Sequence, residues 1–446
     1  MTQSRVFLFL QGPHGPFFHA LAGTLRAAGQ RALKIGFNGG DQLFWPNRAS
    51  YTAFDGPAAT WRDFLGVYLD THKVTDLVIY GDSRDIHTTA REEALLRGIT
   101  LHYFEEGYLR PYWITYERGG VNGHSRLMQM SVSQMERALG GRMDPQAEAP
   151  AEWGALWQHV VLGAVYHAAV MLWAWRYREY RPHRAISVLR EWGLYLRRLV
   201  RMPWHGIQRR VASARLSRSG APYHLVLLQL AHDAAVKDHS PFADQDSFVR
   251  LCCNSFADAG LTHHRLVFKV HPLEDDRESV ARLIRRSARA RGLQNRVHII
   301  RGGKLAPLLN RARSAVTINS TAGQQALWRG LPLRIFGQAV YAKAGFTSQQ
   351  SLTAFFQNPD PPDRERYHLF RAFLLRTSQL TGGYYTRTGR AQVLRKITDV
   401  MLAQLDPYER VFTKRLQPRR SCGWFTHVPI ERLPKADLCS LYCAQQ

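Results

Sequence analysis

Short apolar runs alternate with amphipathic stretches along most of this chain, and the runs end in polar turns containing glycine or proline. Residues 6–10 read as a buried strand. The turn Gln11-Gly12-Pro13-His14-Gly15-Pro16 follows, and a helical pattern over residues 17–28 stops at Gly29. Further strands are predicted over residues 31–37, 77–80 and 99–104. A second series opens at residues 223–230 and continues with strands over 265–270, 297–300, 315–318 and 332–336. Helices over 246–259, 276–291 and 305–312 separate them, and another begins in Asn319-Ser320-Thr321-Ala322-Gly323 and runs to Trp328. Residues 366–405 read as helices around Gly382-Gly383-Tyr384-Tyr385. Strand and helix thus alternate twice over, without β-hairpin signals. This predicts an α/β protein with two Rossmann-like, doubly wound domains facing a cleft. The expected divisions are a first domain over residues 1–145, a helical connector over 146–220, a second domain over 221–405 and a basic tail over 406–446.

The connector breaks the pattern. From Trp153 to Trp175 the chain carries no formal charge, a length that would suffice to span a bilayer. Gln158, His159 and His167 interrupt that stretch, and a crossing there would separate two halves that must share a cleft. Residues 176–218 then hold twelve arginines against Glu179 and Glu191, interleaved with Tyr177, Tyr180, Trp192, Tyr195 and Trp204. Cations with amphipathic rings suit an interfacial helix on an acidic membrane; a connector with a solvated basic face is the alternative. The whole chain carries 60 Lys and Arg against 35 Asp and Glu, a net charge of +25, which favours anionic partners without choosing among them. No nucleic-acid-binding module accompanies that charge, so nucleic acid is not expected as a partner. The five cysteines form neither a disulfide ladder nor a zinc spacing, and residues 1–9 lack the features of a secretory signal, so a reducing cytoplasm is expected.

The turns carry the candidate chemistry. Glu105-Glu106-Gly107 ends the strand over 99–104, and adjacent carboxylates on a strand face opposite ways, so one is expected to act as acid, base or nucleophile. Gln11 and Gly12 after the first strand, Asn38 and Asp41 after the second, and Asp82 and Arg84 after the third would line the same cleft. In the second half, one strand carries Gln229 and runs on to Asp233, and His271-Pro272 follows another. Proline there restricts His271 to an extended backbone, letting its imidazole reach a ligand. Ser320, Thr321 and Gly323 stand where a strand passes into a helix, a position suited to binding an anion. A carboxylate in one half and a phosphate site in the other is what a two-domain glycosyltransferase needs. The absence of an Asp-x-Asp pair in a setting to hold a metal diphosphate predicts no metal site, with transfer from a nucleoside monophosphate sugar.

Glu105-Glu106-Gly107, His271-Pro272 and Ser320-Thr321 resemble motifs of bacterial sialyltransferases. More closely, Leu10-Gln11-Gly12-Pro13, Phe37-Asn38-Gly39-Gly40-Asp41, Gly81-Asp82-Ser83-Arg84, Phe104-Glu105-Glu106-Gly107-Tyr108-Leu109-Arg110-Pro111, Gly120-Val121-Asn122-Gly123, Leu228-Gln229-Leu230, His239-Ser240-Pro241-Phe242 and Gly382-Gly383-Tyr384-Tyr385 resemble the KpsS/LipB-type capsule polysaccharide proteins. The resemblance implies a GT-B type fold and a β-Kdo transferase that uses CMP-Kdo as donor substrate, no further cofactor, and an anionic lysophosphatidylglycerol acceptor. It implies work at the cytoplasmic face of the inner membrane, peripherally attached, alongside other capsule assembly proteins. Glu106, and less so Glu105, would be catalytic, with His271, Pro272, Ser320, Thr321 and Gly323 around the CMP phosphate. Tyr112-Trp113 departs from the smaller polar residue expected there.

Overall fold

The computed structural model describes residues 4–141, 157–180, 193, 204, 206–216, 218–229, 240–271 and 280–413. The first sheet contains β1 (Val6–Phe9), β2 (Arg31–Gly36), β3 (Tyr51–Ala53), β4 (Asp76–Tyr80), β5 (Thr100–Glu106), β6 (Trp113–Glu117) and β12 (Gln379–Thr381), in the order β12-β6-β5-β4-β1-β2-β3. The second contains β7 (Tyr223–Leu227), β8 (Arg265–Val270), β9 (Val297–Arg301), β10 (Ser314–Thr317) and β11 (Leu333–Ile335), ordered β11-β10-β7-β8-β9 and parallel throughout. Both are mixed α/β layers of Rossmann type, so the molecule has the GT-B type architecture expected from the alternating pattern.

Burial explains why the central strands read as unbroken apolar runs, because helices cover both faces of the sheet. Leu8, Leu77, Ile79 and Leu101 pack with Trp61 and Leu65 of α3 (Trp61–His72) and Ala90 and Ala94 of α4 (Asp85–Leu96). On the other face Phe7, Phe9 and Phe104 meet Phe17, Leu21 and Leu25 of α1 (Phe17–Ala27), with Val393 and Ile397 of the helix Arg387–Leu402.

Two expectations are corrected. The chain does contain a hairpin: β6 pairs antiparallel with β5, setting Glu105 opposite Thr115 and Glu106 opposite Ile114. The connection spans residues 107–112, too long for the two-residue turn signature that marks a hairpin in sequence. The second domain does not run unbroken to residue 405. Gln379–Thr381 pairs antiparallel with β6, and the following helix packs on α1, so the chain returns to the first domain after residue 378. The connector packs onto the first domain. Its helix α6 (Trp157–Leu172) lies against α2 (Gly39–Leu43), a one-turn helix where the sequence suggests only a turn. Asn38 caps α2 by accepting the Asp41 N–H. A Cβ on Gly39 would stand 2.2 Å from the Ala169 carbonyl oxygen, and one on Gly40 2.5 Å from the Tyr166 ring, so only glycine permits this approach. Farther on, residues 206–216 are helical and share a groove with the arginine-rich helix Val280–Ala290. Among the described residues no helix is long and apolar enough to cross a membrane.

At the end of the first sheet away from its carboxyl tips, a charged group is sealed in. Asp76 accepts bonds from His102 Nε2 (2.7 Å), Arg5 Nε (2.9 Å) and Thr75 Oγ1 (2.7 Å), and His102 Nδ1 lies 2.7 Å from the Tyr116 hydroxyl. Burial alone would raise the Asp76 carboxyl, but these bonds outweigh it and hold it at about 2. Its stabilisation is therefore complete above the unfolded-state value near ~4 and is lost as pH falls through the folded value. Asp76→Asn is expected to cost about 3 kcal/mol in urea unfolding at neutral pH, with the deficit shrinking below pH ~4. Gly39→Ala should cost about 1–3 kcal/mol by overpacking and loosen α6, read as new protease cleavage between residues 157 and 180.

Candidate active site

The glutamate pair sits at the last two positions of β5, where the strand reaches the carboxyl edge of the sheet. Both side chains are half-buried, and the strand's alternation sends them to opposite faces, as anticipated. Glu105 Oε1 accepts the Glu106 backbone N–H at 2.9 Å, while Tyr384 donates to the Glu105 carbonyl at 2.7 Å. Burial pushes the Glu105 carboxyl up to about 7 and the charge on Glu106 adds to this; the Glu106 N–H and Arg110 pull the other way. A group that exchanges its proton near neutral pH suits acid–base work. Glu106 faces an aromatic enclosure instead. Tyr80 donates to its Oε1 at 3.2 Å, and Tyr385 helps close the enclosure, its hydroxyl pushed well above the ordinary value by burial first and then by the charge on Glu106. The Tyr385 ring stacks on His14 at 4.5 Å and meets His159 of α6 at 3.9 Å.

The turns after β1, β2 and β4 converge beside this enclosure. Gln11 Oε1 accepts from Arg84 Nη1 at 2.7 Å, and the Arg84 guanidinium lies 5.7 Å from the Tyr80 ring centre. Gln11 Nε2 reaches Tyr166 at 3.2 Å and Tyr180 at 3.4 Å, both from the connector. Asn38 donates to the Tyr166 hydroxyl at 2.9 Å, and Asp41 takes the Phe37 N–H at 3.1 Å and the Tyr166 hydroxyl at 3.3 Å. Behind them the buried Lys34 donates to the Leu10 carbonyl at 2.6 Å. Burial lowers its pKa to about 8, with Asp41 opposing that shift and Arg84 adding to it. Gly12 makes room for the Phe18 ring, which a Cβ would meet at 2.5 Å. Asp82 and Arg84 do not pair with each other: the buried Asp82 takes His124 at 2.9 Å, leaving Arg84 to Gln11.

In the second domain, His271 directly follows β8. Pro272 and Asp233 lie outside the described residues. Gln229, buried at the end of β7, accepts the Asn319 N–H at 3.1 Å and so ties that strand tip to the Ser320–Thr321 turn. Ser320 Oγ accepts the Ala322 N–H at 3.2 Å, and Thr321 occupies the cap position of the helix Ala322–Trp328 without a side-chain capping bond. Gly323 is required by packing, since a Cβ there would lie 2.5 Å from the Tyr341 hydroxyl. Buried hydrogen bonds join the two halves. Gln324, three residues beyond Thr321, donates to the Tyr108 carbonyl, two residues beyond Glu106, at 2.8 Å. Lys343 reinforces this by donating to the Met128 carbonyl at 3.0 Å.

Several of these residues escape a reading of single motifs. Tyr80, Tyr166, Tyr180, His124, His159 and Gln324 give no signal apart from their neighbours in space, whereas Tyr384 and Tyr385 belong to a motif already noted. Glu117 is another: fully buried on β6, it accepts from Ser125 (2.7 Å), Tyr108 (2.9 Å) and Tyr408 (2.9 Å). Burial raises it to about 7 against the pull of those hydroxyls. Its role is to anchor the loop after Glu106 to the helix Pro407–Thr413. Among the described residues, no group of three or more His, Cys, Asp or Glu is arranged to hold a metal ion.

Comparison with known proteins gives this geometry a context. The capsule polysaccharide export protein KpsS of Escherichia coli is 32% identical over 394 residues, covering 86% of this chain and 98% of that protein. The capsule polysaccharide modification protein LipB of Neisseria meningitidis is 30% identical over 392 residues, covering 85% and 91%. Of solved structures, the β-Kdo 2,4-transferase of Thermosulfurimonas dismutans KpsC aligns over 86% of this chain and 93% of its own at 15% identity, with a TM-score of 0.43. The 2,7-transferase of the same protein aligns over 89% and 100% at 14% identity, with a TM-score of 0.40. The family model for capsule polysaccharide biosynthesis proteins matches residues 75–385, a span from β4 through the tyrosine pair that encloses Glu106, and the chain belongs to that family.

Proposed function

We propose that this protein is a glycosyltransferase of capsule initiation, moving β-Kdo from CMP-Kdo to an anionic lysophosphatidylglycerol and so starting a poly-Kdo linker. The observation that carries the reading is the Gln324–Tyr108 bond, which couples the Ser320–Thr321 turn to the strand tip bearing Glu105 and Glu106. A leaving phosphate held by His271, Ser320 and Thr321 would then be broken from the sugar across the cleft from a carboxylate. The bond between the phosphate oxygen and the anomeric carbon breaks, the acceptor oxygen bonds to that carbon, and the acceptor's proton passes to the enzyme. Only one glutamate can meet the reacting atoms, because the two leave β5 on opposite faces. We assign that role to Glu106, whose carboxylate the Tyr80 hydroxyl orients. Glu105 governs the charge beside it. Gln11, Asn38, Asp41, Asp82 and Arg84 would line the acceptor side, with Gln229 and Asp233 on the donor side. No metal or cofactor is invoked, and the proposed place of work is the cytoplasmic face of the inner membrane, attached peripherally.

A second reading is a non-catalytic assembly or export factor, favoured by the name of the Escherichia coli relative. Incubating the purified protein with CMP-Kdo and a fluorescent lysophosphatidylglycerol separates the two, since the first requires a mass gain of one Kdo and the second none. Product with a different acidic CMP-sugar would retain the transferase and discard Kdo.

Replacing the reacting carboxylate with its amide should remove most of the rate and little of the binding. Glu106→Gln is expected to lower kcat by about 10³-fold or more while CMP affinity, measured by calorimetry, stays within about twofold. Because Glu105 loses its proton near pH 7, the wild-type rate profile should carry a limb centred there. Glu105→Gln should erase that limb; a profile unchanged by the substitution would show that Glu105 plays no part. His271→Ala should weaken CMP binding by about tenfold, the loss of one hydrogen bond to a charged group.

A further inference from the structure

Helix α6 has two faces of different character. At roughly 100° per residue, Tyr166 and His159 project from one side, together with the buried Ala169 and Val170. That side reaches Asn38, Asp41 and the Tyr385 ring, as described above. On the opposite side, Trp157, Val160, Val161, Val165 and Leu172 fall within an arc of roughly 140°. Trp157 is 62% exposed, Val160 64% and Leu172 71%, and just past the helix Trp175 is 67% exposed. The outward face is therefore an uncharged apolar strip roughly 24 Å long with an indole at each end.

Charge frames this strip. The exposed Arg176 and Arg178 follow its last tryptophan, with Glu179 opposing them in part. At the other end, the Arg387 backbone N–H donates to Gln158 at 2.9 Å, which brings the exposed Arg387 beside the first turn of α6. An apolar strip with terminal indoles and flanking guanidinium groups matches the layering of an acidic bilayer surface, where acyl chains lie beneath phosphate headgroups. We propose that the outward face of α6 docks on an anionic lipid bilayer, lying in its surface while the inward face holds the polar cluster beside Glu106. The geometry of α6 alone supports the docking; that it presents a lipid acceptor to the site rests on the transferase reading. Membrane contact on this helix is then one helix-width from the chemistry.

Flotation of the full chain with vesicles tests this without donor or turnover. The protein should rise with vesicles of phosphatidylcholine mixed with phosphatidylglycerol, and much less with phosphatidylcholine alone. Val161→Glu with Val165→Glu, both on the exposed face, should cut vesicle binding by about tenfold or more while the thermal unfolding midpoint is unchanged. Arg176→Glu with Arg178→Glu should reduce binding to the acidic vesicles selectively. Failure of the wild type to float, or undiminished flotation of the valine double variant, would overturn the proposal. So would a wild-type dimer in solution that the valine variant splits, since a second copy would then cover the strip. Flotation without Kdo transfer would remove the transferase reading and leave the docking face standing; transfer without flotation would do the reverse.

Discussion

Two carboxylates side by side at the end of a buried strand are costly, because each loses water and each opposes the other's charge. Much of the first domain is arranged around that difficulty. Glu105 meets it by taking up a proton near neutrality and by accepting the backbone N–H of its neighbour. Glu106 meets it with the hydroxyl of Tyr80, inside an enclosure that Tyr385 helps to close. The enclosure needs elements far apart in sequence: a tyrosine from the end of β4, two more from beyond residue 380, and a histidine from the connector. The pair therefore stays in place only if the sheet, the returning strand and α6 are all assembled.

The same constraint explains which parts of the molecule could be read from its residues. Apolar runs such as Phe7-Leu8-Phe9 and Leu77-Val78-Ile79 are buried on both faces, so they announce parallel strands with helices above and below. The polar turns after them mark the carboxyl edge of the sheet, and Gln11, Asn38, Asp41, Arg84 and the two glutamates do gather there. Strands that pair at an edge were less legible. Gln379-Leu380-Thr381 is three residues long and has no period to recognise; its pairing with β6 depends on partners more than 260 positions earlier. The connector was opaque for a different reason. Trp157–Leu172 is apolar on nearly every side, and such a composition does not reveal which side meets Gly39 and Gly40. The two glycines read only as a polar turn, with nothing in the pattern to show that the partner is a helix.

The link between the domains is polar and narrow at the site but apolar behind it. Gln324 touches the loop after Glu106, while Tyr108, Leu127 and Met135 of the first domain share a core with Tyr341, Tyr367 and Phe370 of the second. Burial of that kind fixes the angle between domains more firmly than one hydrogen bond could. The bond instead sets register, so that the helix after Thr321 follows the strand tip if the domains move.

Threading the first sheet through the whole chain has a consequence for synthesis. On the ribosome, β6 emerges early, yet its outer edge stays unpaired until residues 379–381 follow, a delay of roughly 13 to 50 seconds at ordinary elongation rates. Throughout that interval the nascent first domain has an open strand edge, the feature most prone to wrong pairing. Tyr384 and Tyr385 arrive last, after the second domain's strands have been made. The glutamates are thus enclosed only once the opposite half exists, and a chain cut short before residue 379 would leave their strand tip without its edge partner, Tyr384 or Tyr385.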